Sequence, residues 1–599
     1  SSESARVVVV AITAMPVVVE AGDVLTGDEG GLQWALLTGF AVTLAGEWTV
    51  SGVTAVTLSP MMSSRIFKAE QEDGRFVQFI DRQFDRLHKS YQRRLHGTLD
   101  TKMVPVVMGA LLLGATVYLF ATSKAELAPQ EDQGAVLASI QGPPNATLQQ
   151  MKTYSDQVLD AARTLPEFKQ MFQLTGMPST NAGMGGVILK DWDKRERGAE
   201  EIQKELQEKW NGIAGARVAA FQFPSLPGAQ GLPVQVVIKT TEPFQSLNDV
   251  ADQVLQKAQA SGRFFFLDKD LKIDKPQATL AVDKDMVTAL GMTQQGVGSS
   301  LGAALGGGYV NYFSMAGRSY RVMPQVKQVD RLNPDQILDY HVRTGDGKLV
   351  PASTFAHLEH KVVPEAINHF QQLNSATISG VPAVSQNEAL QFLENAVKEI
   401  APDNYQVDYS GQSRQFMQES GGFVYTMLFA IIIVYLSLSA LFNSFRDPIV
   451  ILVSVPMALF GALIFINLGL STINIYTQVG LVTLMGLISK HGILIVQFAN
   501  DLQRAGRGKR EAIEEAAAVR LRPILMTTAA MVLGVLPLVL AAGAGAAGRH
   551  SMGLVIFTGM SIGTLFTLFV VPAFYLLLAS DHHAEPVHDV LEGLATAEA

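Results

Sequence analysis

A single lysine, Lys490, stands in the middle of the apolar run 475–499. An ammonium near the centre of a lipid-spanning helix costs on the order of 2.5–3.5 kcal/mol, so it has to face other helices and find a carboxylate there, and a group so placed can take part in proton movement. The competing reading is a lysine that snorkels to the membrane surface, which its distance from both ends of the run disfavours. His491 beside it belongs to the residue type that titrates near neutral pH. The neighbouring position projects to another helix face, so it reads as a packed histidine. His357 and His360 in AHLEH lack further ligands at zinc spacing and read as surface residues. The chain has no cysteine, which removes disulfides, thiolate metal sites and cysteine nucleophiles together. No GxxxxGK[ST] occurs; RAGRGKRE and GAGAAGRHS both lack the Gly-Lys-Ser/Thr end that cradles ATP phosphates. No cofactor or metal site is read from these residues, and the chain does not read as an enzyme.

These groups need elements to hold them. The chain has 599 residues, 48% hydrophobic, with a formal net charge of −9 and a mean hydropathy of +0.21. The length predicts about four domain-sized units, while the hydropathy is too high for an all-soluble chain and the charge gives no basic field for nucleic acid. About 20 mostly apolar residues are needed to cross the hydrocarbon layer. Five such runs lie near the C-terminus, at 422–442, 448–468, 475–499, 523–542 and 553–578, and a sixth at 104–122. Two poorer ones, 7–24 and 34–58, contain or border on Glu20 and Glu47. Arg and Lys crowd the segments 65–102 and 500–522, which the charge rule assigns to the cytoplasm. Eight spans then leave both chain ends inside the cell and 123–420 outside. Within the inner segment, Ile66, Phe67, Phe76, Phe79, Ile80, Phe84 and Leu87 recur at helical spacing, which predicts an amphipathic helix on the inner membrane surface. The start SSESARVVVV is neither a signal peptide nor a usual translation start and reads as a cut.

The outer segment alternates strands and helices from about Asp132: GAVLASI, a helix over 148–164, KQMFQLT, VILKDW, a helix over 199–210, ARVAAFQF. That order is β-α-β-β-α-β, a ferredoxin-like unit. A second copy begins at LPVQVVIKT and continues through a helix over 247–260, RFFFLD and QATLAVD. It is interrupted by 283–362, where two alternating strands about an Ala-Gly turn predict a projecting hairpin, and it finishes with NSATISG, a helix over 387–400 and YQVDYSG. The first two and last two spans share a weak pattern of Pro-punctuated apolar runs about a Gly-rich loop (Pro16, Pro60; Pro537, Pro572), the kind of internal repeat that duplicated transporters carry.

Several strings are more specific: PQEDQG at 129–134, LKDW at 189–192, ALGGGYVNYF, GLISKHGILIVQFAND, and RLRPILMTT followed by GVLPLVLAAGAGA. With them the chain resembles the resistance–nodulation–division multidrug efflux pumps, over most of its length and starting near their fifth span. The resemblance implies an α-helical polytopic membrane protein with an α+β periplasmic region of ferredoxin-like porter subdomains and an inserted docking hairpin subdomain. It divides the chain into two spans at 1–60, a cytoplasmic-surface helix at 61–102, a span at 103–123 and a porter subdomain at 124–232. A second porter subdomain is made of 233–282 with 363–413, the docking piece is 283–362, five spans fill 414–580, and 581–599 is a cytoplasmic tail. It further implies a homotrimer in the bacterial inner membrane, protons as the driving ion, and a periplasmic adaptor protein and an outer-membrane channel as partners.

By the same resemblance Lys490 belongs to a proton relay with Arg520 and Thr527, seven residues apart; the alternative for Arg520 is an ordinary inner-boundary arginine. The family counterpart of Lys490 pairs with two aspartates of the fourth span, so a missing N-terminal half is expected to complete the relay. Glu20 and Glu47 as surrogate partners are the lesser alternative to sequence drift. Phe172 and Leu174 align with the family's distal hydrophobic pocket and Phe221 with its proximal one, and the loop TGMPSTNAGMGG at 175–186 lies where a switch loop separates the two. Apolar pockets of this kind suit amphiphilic small molecules; the alternative is that both phenylalanines are strand core. Met171, Met177 and Met184 raise the metal-exporting branch, since thioethers take soft cations, although three of 21 methionines is close to chance. The function expected is a proton-coupled exporter of amphiphilic drugs. The alternatives are a transport-incompetent truncated product acting as a structural or assembly partner, a metal-exporting relative, and a protein-secreting or lipid-exporting relative that the hairpin disfavours.

Overall fold

The computed structural model describes residues 75–101, 103–226 and 231–581, with scattered helical positions between 46 and 65. The expected span 7–24, most of 34–58, Glu20, Glu47 and the tail beyond Asp581 lie outside the described residues. The first full helix among the described residues is α1 (Arg75–Asp100), which buries Tyr91, Leu95 and Leu99 in one stripe against the C-terminal helices and keeps its charged side outward, as the amphipathic pattern requires. The all-apolar α2 (Met103–Thr122) follows.

The sheet-rich region contains β1 (Ala135–Gln141), α3 (Leu148–Arg163), β2 (Phe168–Thr175), β3 (Ala182–Leu189), α4 (Ala199–Asn211) and β4 (Arg217–Phe221). Thr147 starts α3 by accepting the Gln150 amide at 3.2 Å, a side-chain cap for an otherwise unpaired donor. The strands form one antiparallel sheet in the order β2-β3-β1-β4. Alternate residues Val136, Ala138 and Ile140 turn toward α3 and α4 and pack on Met151, Ile202, Leu206 and Trp210. The other face is left for something else.

Next come β5 (Val234–Thr240), α5 (Phe244–Ala260), β6 (Phe264–Lys269), β7 (Ile273–Val282), α6 (Lys284–Ala289) and α7 (Gln294–Ala304). They are followed by β8 (Asn311–Met315), β9 (Arg318–Val322), β10 (His341–Arg343), β11 (Leu349–Pro351), β12 (Ala356–Pro364), β13 (Asn368–Phe370), β14 (Leu373–Pro382), α8 (Gln386–Ile400) and β15 (Gln406–Tyr409). Strands β13, β14, β5 and β15 run in that order, with β6 also on β14, and α5 and α8 cover the sheet through Leu247, Val254, Leu390 and Leu393.

Two expectations change here. QATLAVD was expected to join this sheet; it lies in β7, which pairs with β12 along nearly its whole length in a separate ribbon, Ala356 opposite Val282 and Lys361 opposite Gln277. The sheet is completed without β7 by β14, the NSATISG strand already expected there, whose residues Ala376 and Ile378 are fully buried whereas β7 buries none of its own. The segment 175–186 was expected to be a loop, but β2 ends at Thr175 and β3 starts at Ala182, leaving a short turn. The hairpin β8–β9 does turn at Ala316–Gly317, both at positive φ (50° and 74°). All ten of its strand residues are exposed, so its alternation buries neither face.

The C-terminal helices are α9 (Gly411–Phe442), α10 (Asp447–Leu452), α11 (Ser454–Phe465, continuing as a distorted turn to Leu470), α12 (Ile475–Arg504), α13 (Lys509–Val539) and α14 (Ala546–Leu578). Counting α10 with α11, six helices among the described residues are long and apolar enough to cross a membrane. Asn474 caps α12 by accepting the Tyr476 and Thr477 amides. Pro523 lies inside α13, which starts at Lys509 rather than at the expected 523, so a charged extension precedes its apolar part. Helices α11, α12 and α14 form the packed centre, while α2, α9 and much of α13 turn large apolar side chains outward, as a lipid-facing helix does. Small residues bring α14 close: a β-carbon at Gly563 would meet the Ala458 Cα at 2.8 Å. In a membrane such close contact supplies the packing that the hydrophobic effect does not.

Candidate functional site

Helix α12 carries the membrane candidates on two faces. Leu484, Ile488, His491 and Ile495 recur at spacings of three and four, and all are buried. His491 reaches Thr528 of α13 (Nε2 to Oγ1, 3.2 Å) and Thr564 of α14 (Nδ1 to Oγ1, 3.4 Å), and the two threonine hydroxyls lie 3.3 Å apart. A buried polar ring needs such partners, and this one ties three helices together. Lys490, one position earlier, is half-buried on the adjoining face. Arg520 lays its guanidinium over the Phe498 ring at 4.5 Å. Thr527 is exposed and donates back to Pro523 O (3.0 Å) and Ile524 O (2.9 Å). The threonine of α13 that reaches toward α12 is thus Thr528, one place beyond the one singled out from sequence.

The second candidate is the uncovered face of the first sheet. The register sets Phe172 opposite Gly186, Gly186 opposite Leu137, and Leu137 opposite Phe221. Directly paired residues of an antiparallel sheet share a face, so the four form one row across all four strands. The next row is Leu174, Met184, Ser139 and Ala219. At the β2 end Phe172, Leu174 and Met184 are exposed, as is Met177 in the turn. At the β4 end Phe221 and Leu137 are buried against Val381, with Leu232 and Phe266 beside them. The two phenylalanines expected to line pockets are therefore on the same face, and neither belongs to the α3/α4 core. Met171 points the other way, into that core. Beside Phe221 opens a cleft lined by Glu126, Gln203, Gln222, Phe265 and Gln386. Burial pushes the Glu126 carboxyl above the usual range, against a 2.5 Å bond from the Thr472 hydroxyl that works to lower it. His357 and His360 are exposed on β12.

Residues 1–579 match the model of the AcrB/AcrD/AcrF family. The chain belongs to that family. Its members include resistance–nodulation–division efflux transporters, the group its motifs resemble. The chain is similar to an uncharacterized transporter of Haemophilus influenzae (38% identical over 570 residues), to the antibiotic efflux pump membrane transporter ArpB of Pseudomonas putida (31% over 588) and to the multidrug export protein AcrF of Escherichia coli (29% over 570). Those alignments cover 94%, 94% and 92% of this chain and 55% of each relative. It spans about half the length of the curated relatives it matches.

Sequence reading of this family member missed two polar groupings. Asn500 of α12 donates to the buried Asp447 (2.9 Å) and accepts from the Tyr575 hydroxyl (2.6 Å), which in turn accepts from Gln503 (2.7 Å). The signal for it was polar residues recurring on the buried side of an apolar helix. The other grouping is the acidic pair Glu131 and Asp132, whose partners lie far away in sequence.

Proposed function

We propose that the chain is the larger part of a proton-coupled exporter of amphiphilic compounds in the bacterial inner membrane, with 123–420 on the periplasmic side. The observation that carries this reading is the row Phe172–Gly186–Leu137–Phe221: a sheet face whose aromatic and aliphatic side chains are left open at one end and meet the second sheet at the other. Such a surface suits molecules with an apolar body and few polar groups. The strand order β2-β3-β1-β4 supports a ferredoxin-like porter subdomain at 124–232, and β6-β14-β5-β15 supports a second one split by the 283–362 insertion, whose exposed hairpin is the docking piece. Substrate contact falls to Phe172, Leu174, Phe221, Met177 and Met184. Lys490, Arg520 and Thr527 serve the proton relay, together with acidic groups that a companion N-terminal half supplies. The working unit is a homotrimer joined to a periplasmic adaptor protein and an outer-membrane channel. The names of relatives that export antibiotics, solvents or several drugs agree with this reading.

The test is dye efflux under a proton gradient in cells lacking their own pumps, with the chain expressed beside a companion half. Efflux that Lys490→Ala abolishes at unchanged abundance is the expected result. No gradient-dependent efflux with the companion present would instead favour a structural or assembly role.

A further inference from the structure

The linker from α2 to β1 holds two consecutive acids, and they cap different helices. Glu131 is buried and accepts from the Gly548 amide at 2.7 Å and the Ala547 amide at 3.2 Å, at the start of the 33-residue α14. Asp132 accepts from the Ala199 amide at 2.9 Å, the first residue of α4, and from Arg195 at 2.6 Å and the Gly134 amide at 2.9 Å. Trp192 donates its indole N–H to the Asp132 carbonyl at 3.2 Å. A carboxylate at a helix N-terminus meets unpaired amides and the positive end of the helix dipole, and the attraction is strongest where water is excluded. Neighbouring Cα atoms are about 3.8 Å apart, so the ends of a membrane-length helix and of a helix of the first sheet are fastened to one short, rigid piece of chain.

The rest of the linker is tied as firmly. Ile473 and Ile475 donate to Lys124 O (2.8 Å) and Leu127 O (3.2 Å), Glu126 donates to Ile473 O (3.0 Å), and the Leu127 amide donates to Gln386 of α8 at 3.1 Å. The Glu131 amide donates to the Ser225 hydroxyl at 3.1 Å, just past β4.

We propose that Glu131 and Asp132 form a coupling element that makes the first sheet unit and α14 move as one, so that repacking of α14 where Thr564 meets His491 is carried to the face bearing Phe172. The assignment to transport rests on the function proposed above; the mechanical link does not. The two act in series, Glu131 tying α14 to the linker and Asp132 tying α4 to it, so loosening either one loosens the path from α14 to α4.

Because the chain has no cysteine of its own, spin labels on Lys204→Cys (α4) and Ser561→Cys (α14) report the distance between the two helices in lipid nanodiscs. The expected result is a narrow distribution in the labelled parent that broadens in Glu131→Ala and in Asp132→Asn, and most in the double variant. A distribution unchanged by Glu131→Ala, or one unchanged by Asp132→Asn, would overturn the proposal. Glu131→Gln keeps the shape and serves where Glu131→Ala lowers abundance, with the same reading of outcomes. In dye efflux, Glu131→Gln is expected to lower the maximal rate several-fold at unchanged half-saturating concentration. If the parent moves no dye, the transport reading fails while the distances still decide the coupling.

Discussion

The Cε1 and Cζ atoms of the Phe172 ring sit over Gly186 on the neighbouring strand, where a β-carbon would overlap them and come to 3.2 Å from Leu137. The glycine is what lets an exposed aromatic ring lie down on the sheet.

Gly186→Val is therefore expected to lift the Phe172 ring and alter export unequally among dyes, with folding of the sheet retained because valine favours strands. Phe172→Ala should give a similar change in dye preference. Efflux of several dyes at matched abundance checks both, and an equal loss for every dye with lowered abundance would mark the residues as mere packing.

Acid should act in opposite directions on two carboxyls, the buried Glu167 and the half-buried Glu126. The Arg197 guanidinium (2.7 Å) holds the Glu167 carboxyl below its ordinary value of 4.5. Its contribution is thus full above that value and is lost as pH falls below it. Glu167→Gln should cost about 1.5–3 kcal/mol at neutral pH, the range for hydrogen bonds to charged groups. Burial raises the Glu126 carboxyl above 4.5, so the folded state holds its proton more tightly and stability falls as pH rises from 4.5 through the folded value. Glu126→Gln should stabilise at neutral pH. Hydrogen exchange of α4 and of the linker, followed against pH, separates the two.

His491→Ala removes a buried ring that bridges α12, α13 and α14. Deleting a packed side chain of this size should cost about 2–5 kcal/mol, read as a lower melting temperature in detergent. Equal melting temperatures would mean that the three helices do not depend on this contact.

Gly563→Val forces atoms against the α11 backbone at Ala458, whereas a β-carbon at Gly534 of α13 meets nothing within 4 Å. Overpacking typically costs about 1–3 kcal/mol, so Gly563→Val should lower the melting temperature clearly and Gly534→Val should leave it nearly unchanged.

What the sequence by itself determined is whatever depends on local period and composition. Runs of apolar residues long enough for lipid, the helical stripe of α1, the strand-helix order of both sheets, and the Ala-Gly hairpin turn are each set by residues close together in the chain. Lys490 and His491 could be assigned to different faces because one residue turns an α-helix by about 100°. Strand partners and caps are not local quantities. That β7 is left out of the second sheet depends on which strands can bury an apolar side against α5 and α8. That Thr528, not Thr527, meets His491 depends on how α13 is rotated against α12. In the sequence Glu131 and Asp132 are only two adjacent acids within PQEDQG; the fold brings Gly548, 417 residues away, and Ala199, 67 away, to their carboxylates. Tertiary structure alone decided these, because an unpaired amide at a helix end attracts any carboxylate and only the packing selects which one arrives.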